Sequence, residues 1–178
     1  MLDLEILKKP PSIVESMKVS HRREWKEEVL YLKLRPEFHV LVVDDLPSQV
    51  EVVTSILKCF TNVTCDAAYD GDEAVRMVKQ KMDKGEMYHL ILTDLTMPYD
   101  GFDTTKDIRS EEKMRNTRPP YCVIGITGEG LSSGSDRKAL ESGMNETISK
   151  PVKIPSIEAI IKSRVKELGL SLEIKKID

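Results

Sequence analysis

The 178-residue chain is poor in aromatic side chains and in cysteine, and it has no long apolar run. Its three cysteines, Cys59, Cys65 and Cys122, lack the spacing of metal ligands, and an odd number of them favours a reducing compartment over a disulfide framework. Apolar runs such as residues 40–43 are far shorter than the ~20 residues that span a bilayer. The charged amino-terminal residues also exclude a secretory signal. We therefore expect a cytoplasmic, intracellular protein that does not insert into a membrane.

The chain also lacks an excess of basic residues. Its 27 Lys and Arg against 30 Asp and Glu give a net charge of −3, which argues against a general nucleic-acid-binding protein with a basic face. Apolar residues make up 40% of the sequence, enough to fill a core. With about 150 residues as the usual size of a domain, the length predicts one domain with a remainder.

The remainder is divided between the two ends of the chain. Residues 1–36 are predicted to be an amino-terminal arm, because Ser12 and Glu15 form a capping box ahead of an amphipathic helix over residues 13–34. Pro36 marks the boundary, since the residue before a proline is disfavoured in a helix. Residues 169–178 alternate apolar and polar side chains, which predicts a strand-like tail.

Between these ends, residues 37–168 alternate between buried-strand and helix patterns. Strands are predicted at residues 39–43, 63–68, 89–93, 121–127 and 146–149. Helices are predicted at residues 47–60, 74–78, 102–109, 136–142 and 154–168. This alternation indicates an α/β domain, in which a doubly wound parallel sheet carries helices on both faces.

Polar residues follow four of the five predicted strands, at the edge where such sheets bind ligands. The first strand ends in Asp44 and Asp45, the third in Asp94 and the fourth in Thr127, while Lys150 follows the fifth. Clustered carboxylates repel one another and need a cation, and an all-oxygen site of this kind favours Mg²⁺. Aspartate at a strand end is also a common helix cap, but the shared register of all five residues favours an acidic pocket.

This pattern resembles the receiver domain of two-component response regulators, and in particular the receivers of hybrid histidine kinases. The matching segments are Val42-Val43-Asp44-Asp45, Asp94-Leu95-Thr96-Met97-Pro98, Thr127 and Lys150-Pro151. The resemblance covers residues 39–168 and implies a flavodoxin-like five-stranded sheet in the order 2-1-3-4-5.

The resemblance implies a role for each matching residue. Asp94 would accept a phosphoryl group, and Thr127 and Lys150 would each contact one of its oxygens. Mg²⁺ would be held by Asp45, Asp94 and the backbone carbonyl of Thr96, with Asp44 acting through a water molecule. A cis bond would suit the proline that follows Lys150. The chemistry fits, because a metal and a lysine stabilise a transferring phosphoryl group electrostatically.

The resemblance also implies the partners. A histidine kinase or a histidine phosphotransfer protein would donate the phosphoryl group. Only ten residues follow Leu168, so we expect a stand-alone receiver that is not an enzyme and that signals by binding a downstream protein, with the amino-terminal helix and the tail as candidate contacts. A phosphatase that uses Asp94 as nucleophile is disfavoured because Thr96, not an acid, lies two residues later.

Two departures from the family leave a second hypothesis open. Thr147 occupies the position three before Lys150, where the family usually has the aromatic residue of its switch. The loop between Asp94 and Gly101 is one residue shorter than expected. The alternative is therefore a scaffold protein that keeps the receiver fold, has altered switching and docks into an assembly through its terminal arms. His39 and His89 are interpreted as structural residues, and the cysteines as inert core residues.

Overall fold

The computed structural model describes residues 31–128 and 134–175, and within them the side chains of residues 37–128 and 134–171. Strands and helices alternate along this part of the chain. The strands are β1 (Tyr31–Val43), β2 (Thr61–Ala68), β3 (Leu90–Asp94), β4 (Val123–Thr127), β5 (Glu146–Ser149) and β6 (Ser171–Lys175). The helices are α1 (Pro47–Leu57), α2 (Gly71–Asp83), α3 (Gly101–Arg115), α4 (Ser135–Ser142) and α5 (Ile154–Glu167).

Five of the strands form a parallel sheet in the order β2-β1-β3-β4-β5, as predicted. Successive residues of each strand face opposite sides, so the sheet separates two apolar cores. Val40 and Val42 lie in the core that α1 and α5 cover, whereas Leu41 and Val43 lie in the core that α2, α3 and α4 cover. The central strands are buried on both faces, which explains their continuous apolar runs.

The first strand begins earlier than the sequence predicts. The amphipathic helix expected over residues 13–34 is wrong at its end, because β1 already starts at Tyr31. In this segment Leu32 and Leu34 alternate with basic residues. This period of two is typical of a strand, and the same residues also fit the longer helical pattern. The earlier part of that predicted helix lies outside the described residues.

Strand β6 lies within the predicted strand-like tail and pairs with β1. From Val40 to Val43, β1 is flanked by β2 on one side and by β3 on the other. The pairing with β6 therefore belongs to the earlier part of β1. The register between β1 and β2 shifts between Lys33 and Phe38, where Pro36 has no N–H to donate to a neighbouring strand.

Two arginines, the partly buried Arg109 and the buried Arg164, connect helices to strand ends. Arg109 of α3 pairs with Glu112 through Nη1 at 2.8 Å and donates to the carbonyl oxygens of Tyr121 and Gly143 at 3.0 and 2.9 Å. Arg164 of α5, which is 4% exposed, donates through Nε to the carbonyl oxygen of His89 at 2.9 Å. These contacts fix the starts of β3 and β4 against the covering helices.

The two described histidines contact each other, and the three cysteines pack in or against the apolar core. The rings of His39 and His89 stack with centroids 5.7 Å apart, and the backbone N–H of His39 donates to Nδ1 of His89 at 2.9 Å. Burial raises the pKa of the Cys65 and Cys122 thiols to about 11, which makes them poor nucleophiles. No helix in the described part of the chain has the length and apolar character needed to cross a membrane.

Candidate functional site

The predicted site residues meet at the carboxyl edge of the sheet. Asp44 directly follows β1, Asp94 ends β3 and Thr127 ends β4. The backbone N–H of Leu95 donates to the carbonyl of Ile126 at 3.0 Å, which holds the end of β3 beside the end of β4. The N–H of Lys150 donates to the carbonyl of Thr127 at 2.7 Å. The sheet itself therefore sets the spacing of the site.

Lys150 bridges two of the carboxylates. Its Nζ lies 3.0 Å from Oδ2 of Asp44 and 3.1 Å from Oδ1 of Asp94. Both acids are nearly buried, with 3% and 5% exposure. The other carboxylate oxygen of Asp44 accepts the N–H of Leu46 at 3.0 Å, so Asp44 has partners on both oxygens.

Asp45 completes a cluster that could hold a metal ion. One carboxylate oxygen from each of Asp44, Asp45 and Asp94 lies within 4.8 Å of the others. Three hard oxygen donors at this spacing match Mg²⁺ or Ca²⁺ rather than Zn²⁺. The residues present therefore fit the predicted magnesium ion. Thr96, whose carbonyl is the further predicted ligand, lies two residues beyond Asp94 and is exposed.

Burial, the neighbouring carboxylates and hydrogen bonding together set the pKa values of Asp94 and Lys150. Burial raises the pKa of Asp94, and the negative charge of Asp44 adds to this effect, while the Lys150 ammonium opposes it. For Lys150, burial lowers the pKa, but hydrogen bonds with Asp44 and Asp94 outweigh burial and leave the pKa raised. The lysine is therefore a cation at neutral pH, and it acts as the internal counterion of the acidic cluster.

The loop after Asp94 is held close to the site by Gly101. A Cβ atom on Gly101 would lie 2.3 Å from the carbonyl oxygen of Asp94, a distance that no real side chain occupies. The loop ends at Asp100, whose Oδ1 caps α3 by accepting the N–H of Asp103 at 2.8 Å. The short connection therefore brings the start of α3 directly against the backbone of the phosphoacceptor candidate.

Thr147, at the position of the family's aromatic switch, has a partner of its own. Its Oγ1 donates to Oδ1 of Asp136, in the first turn of α4. Thr147 is partly buried, and its methyl group would lie 3.3 Å from a Cβ on Gly125 of β4. The residue therefore joins β5 to α4. The peptide bond between Lys150 and Pro151 is cis, in agreement with the sequence.

The fold and the acidic edge define a receiver domain, and comparison with known proteins identifies the family. Residues 40–162 match the response regulator receiver domain family. The match covers more than half of the chain, and the chain therefore belongs to this family.

Curated relatives carry the same domain within much longer proteins. The chain is 36% identical over 123 residues to the osmosensing histidine protein kinase SLN1 of Saccharomyces cerevisiae, a match to 68% of the chain and 10% of that kinase. It is 37% identical over 120 residues to the two-component system protein A of Emericella nidulans, covering 67% of the chain and 16% of that protein. The chain thus spans a small fraction of the relatives that it matches.

Solved receiver domains have the same fold. The receiver of the Arabidopsis thaliana histidine kinase CKI1, complexed with Mg²⁺ and BeF₃⁻, aligns with a TM-score of 0.63 and 26% identity over 76% of this chain and 99% of that one. The receiver of Saccharomyces cerevisiae Ssk1, co-crystallised with the histidine phosphotransfer protein Ypd1, aligns with a TM-score of 0.59 and 28% identity over 73% of this chain and 88% of that one. The chain is similar to proteins of phosphorelay signalling in both comparisons.

The sequence did not predict the residues of α3 and α4 that surround the acidic cluster. Lys138 and Phe102 line a cleft next to Thr127, yet no spacing in the sequence connects α3 with α4. Asp136 is the partner of Thr147, and an aspartate in a first helical turn has no signal beyond its preference for that position. Only the three-dimensional contacts find these residues.

Proposed function

We propose that this receiver domain accepts a phosphoryl group on Asp94 from a phosphohistidine, in the presence of Mg²⁺, and signals through a protein that binds its phosphorylated state. The observation that carries the proposal is the arrangement of Lys150 against Asp44 and Asp94, with Asp45 in the same acidic cluster. Asp94 is thereby paired with a cation and is also a member of the acidic cluster that could hold a metal ion.

In the proposed step, a carboxylate oxygen of Asp94 attacks the phosphorus atom of the donor. The N–P bond of the phosphohistidine breaks as the new O–P bond forms, and the departing imidazole takes one proton from solvent water and leaves as a neutral ring. Asp45 and Asp94 would hold Mg²⁺, which would supply charge stabilisation for the phosphoryl oxygens. Lys150 stabilises another part of the same charge, and Thr127 offers a hydroxyl from the end of β4.

The donor that we propose is a histidine phosphotransfer protein or a histidine kinase. The Ssk1 receiver, to which this chain is similar, is co-crystallised with the phosphotransfer protein Ypd1, which supports a donor of that kind. The bond between Thr147 and Asp136 supports an output step that differs from the usual aromatic switch. We further propose that output is the binding of a downstream protein.

The test is phosphotransfer to the purified chain from a phosphorylated histidine phosphotransfer protein with Mg²⁺. We expect the chain to gain the mass of one phosphoryl group, and Asp94→Asn to gain none. Asp72→Asn is the matched control, because Asp72 is an exposed acid in the first turn of α2, and this variant should be phosphorylated like the wild type.

A second measurement uses beryllofluoride, which mimics a phosphoryl group on a carboxylate. With Mg²⁺ present, the amide signals around Asp94, Thr127 and Lys150 should shift in an NMR spectrum, and Asp94→Asn should abolish these shifts. If the wild type neither gains a phosphoryl group nor responds to beryllofluoride, the proposed function is wrong.

A further inference from the structure

Two histidines join β1 to the start of β3, at the end of β3 opposite to Asp94. The N–H of His89 donates to the carbonyl oxygen of His39 at 2.8 Å, and the N–H of His39 donates to Nδ1 of His89 at 2.9 Å. Regular pairing of β1 with β3 begins at the next residues, Val40 and Leu90. The imidazole of His89 therefore adds one hydrogen bond to the end of the ladder. His39 and His89 with these two bonds are called the histidine pair below.

The bond from His39 requires a neutral imidazole at His89. A ring nitrogen accepts a hydrogen bond through its lone pair, so Nδ1 carries no proton and the single ring proton of His89 lies on Nε2. Protonation of Nδ1 would place two N–H donors against each other. The ring of His89 is partly buried and stacks on the fully buried ring of Phe38, with centroids 5.0 Å apart. Loss of this bond would therefore leave the N–H of His39 without its partner, which costs free energy.

The charges beside His89 also disfavour its protonation. The rings of His39 and His89 stack with centroids 5.7 Å apart, and Nε of Arg164 donates to the carbonyl oxygen of His89 at 2.9 Å. Glu167 offsets part of the guanidinium charge through an ion pair at 3.1 Å. Burial, followed by the charges of His39 and Arg164, lowers the pKa of His89 to about 4, and the polar backbone of His39 offsets only part of this shift.

The carboxylates nearest to the histidine pair lie beside His39. Glu37 has a carboxylate oxygen 3.7 Å from Nε2 of His39. Glu86 interacts with the same ring electrostatically and pairs with Lys81 at 2.8 Å. Within the described part of the chain, His89 has no ion pair with a carboxylate. A positive charge on His39 would therefore have a counterion, whereas one on His89 would not.

We propose that the histidine pair is a pH-sensitive switch, in which acid favours an open form with a protonated His89 and a broken bond between His39 and His89. In an open or unfolded chain, a histidine has an ordinary pKa of about 6.5, above the pKa of His89 in the closed pair. Between these values, His89 stays neutral while the pair is closed and takes up a proton when the pair opens. Lower pH therefore destabilises the closed pair. Because Arg164 is bonded to the carbonyl of His89, opening also loosens the end of α5.

The first measurement follows the wild-type chain by NMR from pH 8 to pH 4. We expect the ring of His89 to keep the signals of a neutral imidazole, protonated on Nε2, down to about pH 5. The protection of the His39 amide against hydrogen exchange, corrected for the intrinsic exchange rate, should fall about tenfold between pH 7 and pH 5. The two pKa values alone correspond to roughly twentyfold over this range, and the partial exposure of the ring reduces the effect.

The second measurement compares variants by urea denaturation at pH 7 and pH 5. His89→Asn removes the titrating group and keeps an acceptor, because the amide oxygen of asparagine can occupy the place of Nδ1. Its folding equilibrium constant should fall about tenfold less than that of wild type between the two pH values. His39→Asn keeps the backbone N–H but removes the neighbouring ring, so it should raise the pH at which His89 titrates. Other titrating groups, among them His21 and the acidic cluster, are common to the chains compared.

The switch is refuted if the ring of wild-type His89 titrates near pH 6.5, or if His89→Asn loses as much stability as wild type between pH 7 and pH 5. Circular dichroism spectra at pH 7 establish that each variant is folded. If His89→Asn does not fold, the wild-type spectra decide. A neutral His89 ring at pH 5 together with the loss of protection at the His39 amide would support the switch, and a protonated ring or unchanged protection would refute it.

Discussion

Replacing Lys150 with methionine removes the internal counterion of the acidic cluster and keeps the length of the side chain. Lys150 lies 3.0 Å from Asp44 and 3.1 Å from Asp94. At this separation, each charge pair has a gross interaction of about 5–6 kcal/mol when the effective dielectric constant is about 20. Most of this is offset by the loss of hydration on folding. Removing one partner of a buried pair nevertheless costs about 3–5 kcal/mol, because the remaining charge is left without compensation.

The side chain of Lys150 is 24% exposed, so we expect Lys150→Met to lower the free energy of unfolding by about 3 kcal/mol at pH 7 without divalent ions. For a domain of this size, that corresponds to a fall of about 6–12 °C in Tm. Chemical denaturation followed by circular dichroism measures the change. Lys153→Met is the matched control, because Lys153 is exposed and close in sequence, and it should change stability by less than about 0.5 kcal/mol.

Mg²⁺ and pH provide two further arms of this experiment. Mg²⁺ stabilises a folded protein by about 2.7 kcal/mol at 100 times its Kd, and it should stabilise Lys150→Met more than wild type because no ammonium competes for the carboxylates. The pKa of Asp94 is already raised by burial and should rise further in the variant. A raised pKa means that the folded state binds the proton more tightly than the unfolded state, so acidification from pH 7 through that pKa should narrow the stability gap to wild type. This account of the site would be refuted if Lys150→Met lost less than about 1 kcal/mol of unfolding free energy. It would also be refuted if neither Mg²⁺ nor acid reduced the difference in unfolding free energy between the variant and wild type.

Three further variants test the supports of the fold. Arg109→Ala should lower the free energy of unfolding by about 3 kcal/mol in urea denaturation, because Glu112 (7% exposed) loses its partner; an Arg109→Met, Glu112→Gln double variant should recover part of that loss. Gly101→Ala forces the carbonyl of Asp94 and α3 apart and should weaken Mg²⁺ binding in a calorimetric titration about tenfold; unchanged affinity would contradict the role of this contact. Tyr121→Phe removes a fully buried hydroxyl that has no hydrogen-bond partner among the described residues. It should leave the free energy of unfolding unchanged or raise it by up to about 1 kcal/mol, and the Tm should not fall.

The strands and the acidic edge could be predicted from the sequence because their signals are local. Buried parallel strands are short apolar runs, and Asp44, Asp94 and Thr127 each follow one directly, so the topology alone brings them together. The length of α3 could not be predicted. Its second half buries Glu111 and Glu112, and the salt bridges that make this burial possible involve Lys79 and Arg109. A helix whose buried face is charged gives no apolar periodicity.

The start of β1 could not be predicted from the sequence for a different reason. Residues 31–34 satisfy a helical period when they are counted with the residues before them, and a period of two when they are counted with those after them. What decides between the two is pairing with β2 and with β6, whose sequences lie far along the chain. Long-range pairing of this kind overrides a local pattern. The bond between Thr147 and Asp136 escaped prediction for the same reason.

The pairing of β6 with the early part of β1 has a consequence for how this domain can be attached to other structures. The first and last described strands are neighbours, and they meet at the end of the sheet opposite to Asp44 and Asp94. A protein that binds this strand pair would therefore leave the acidic edge open to a donor.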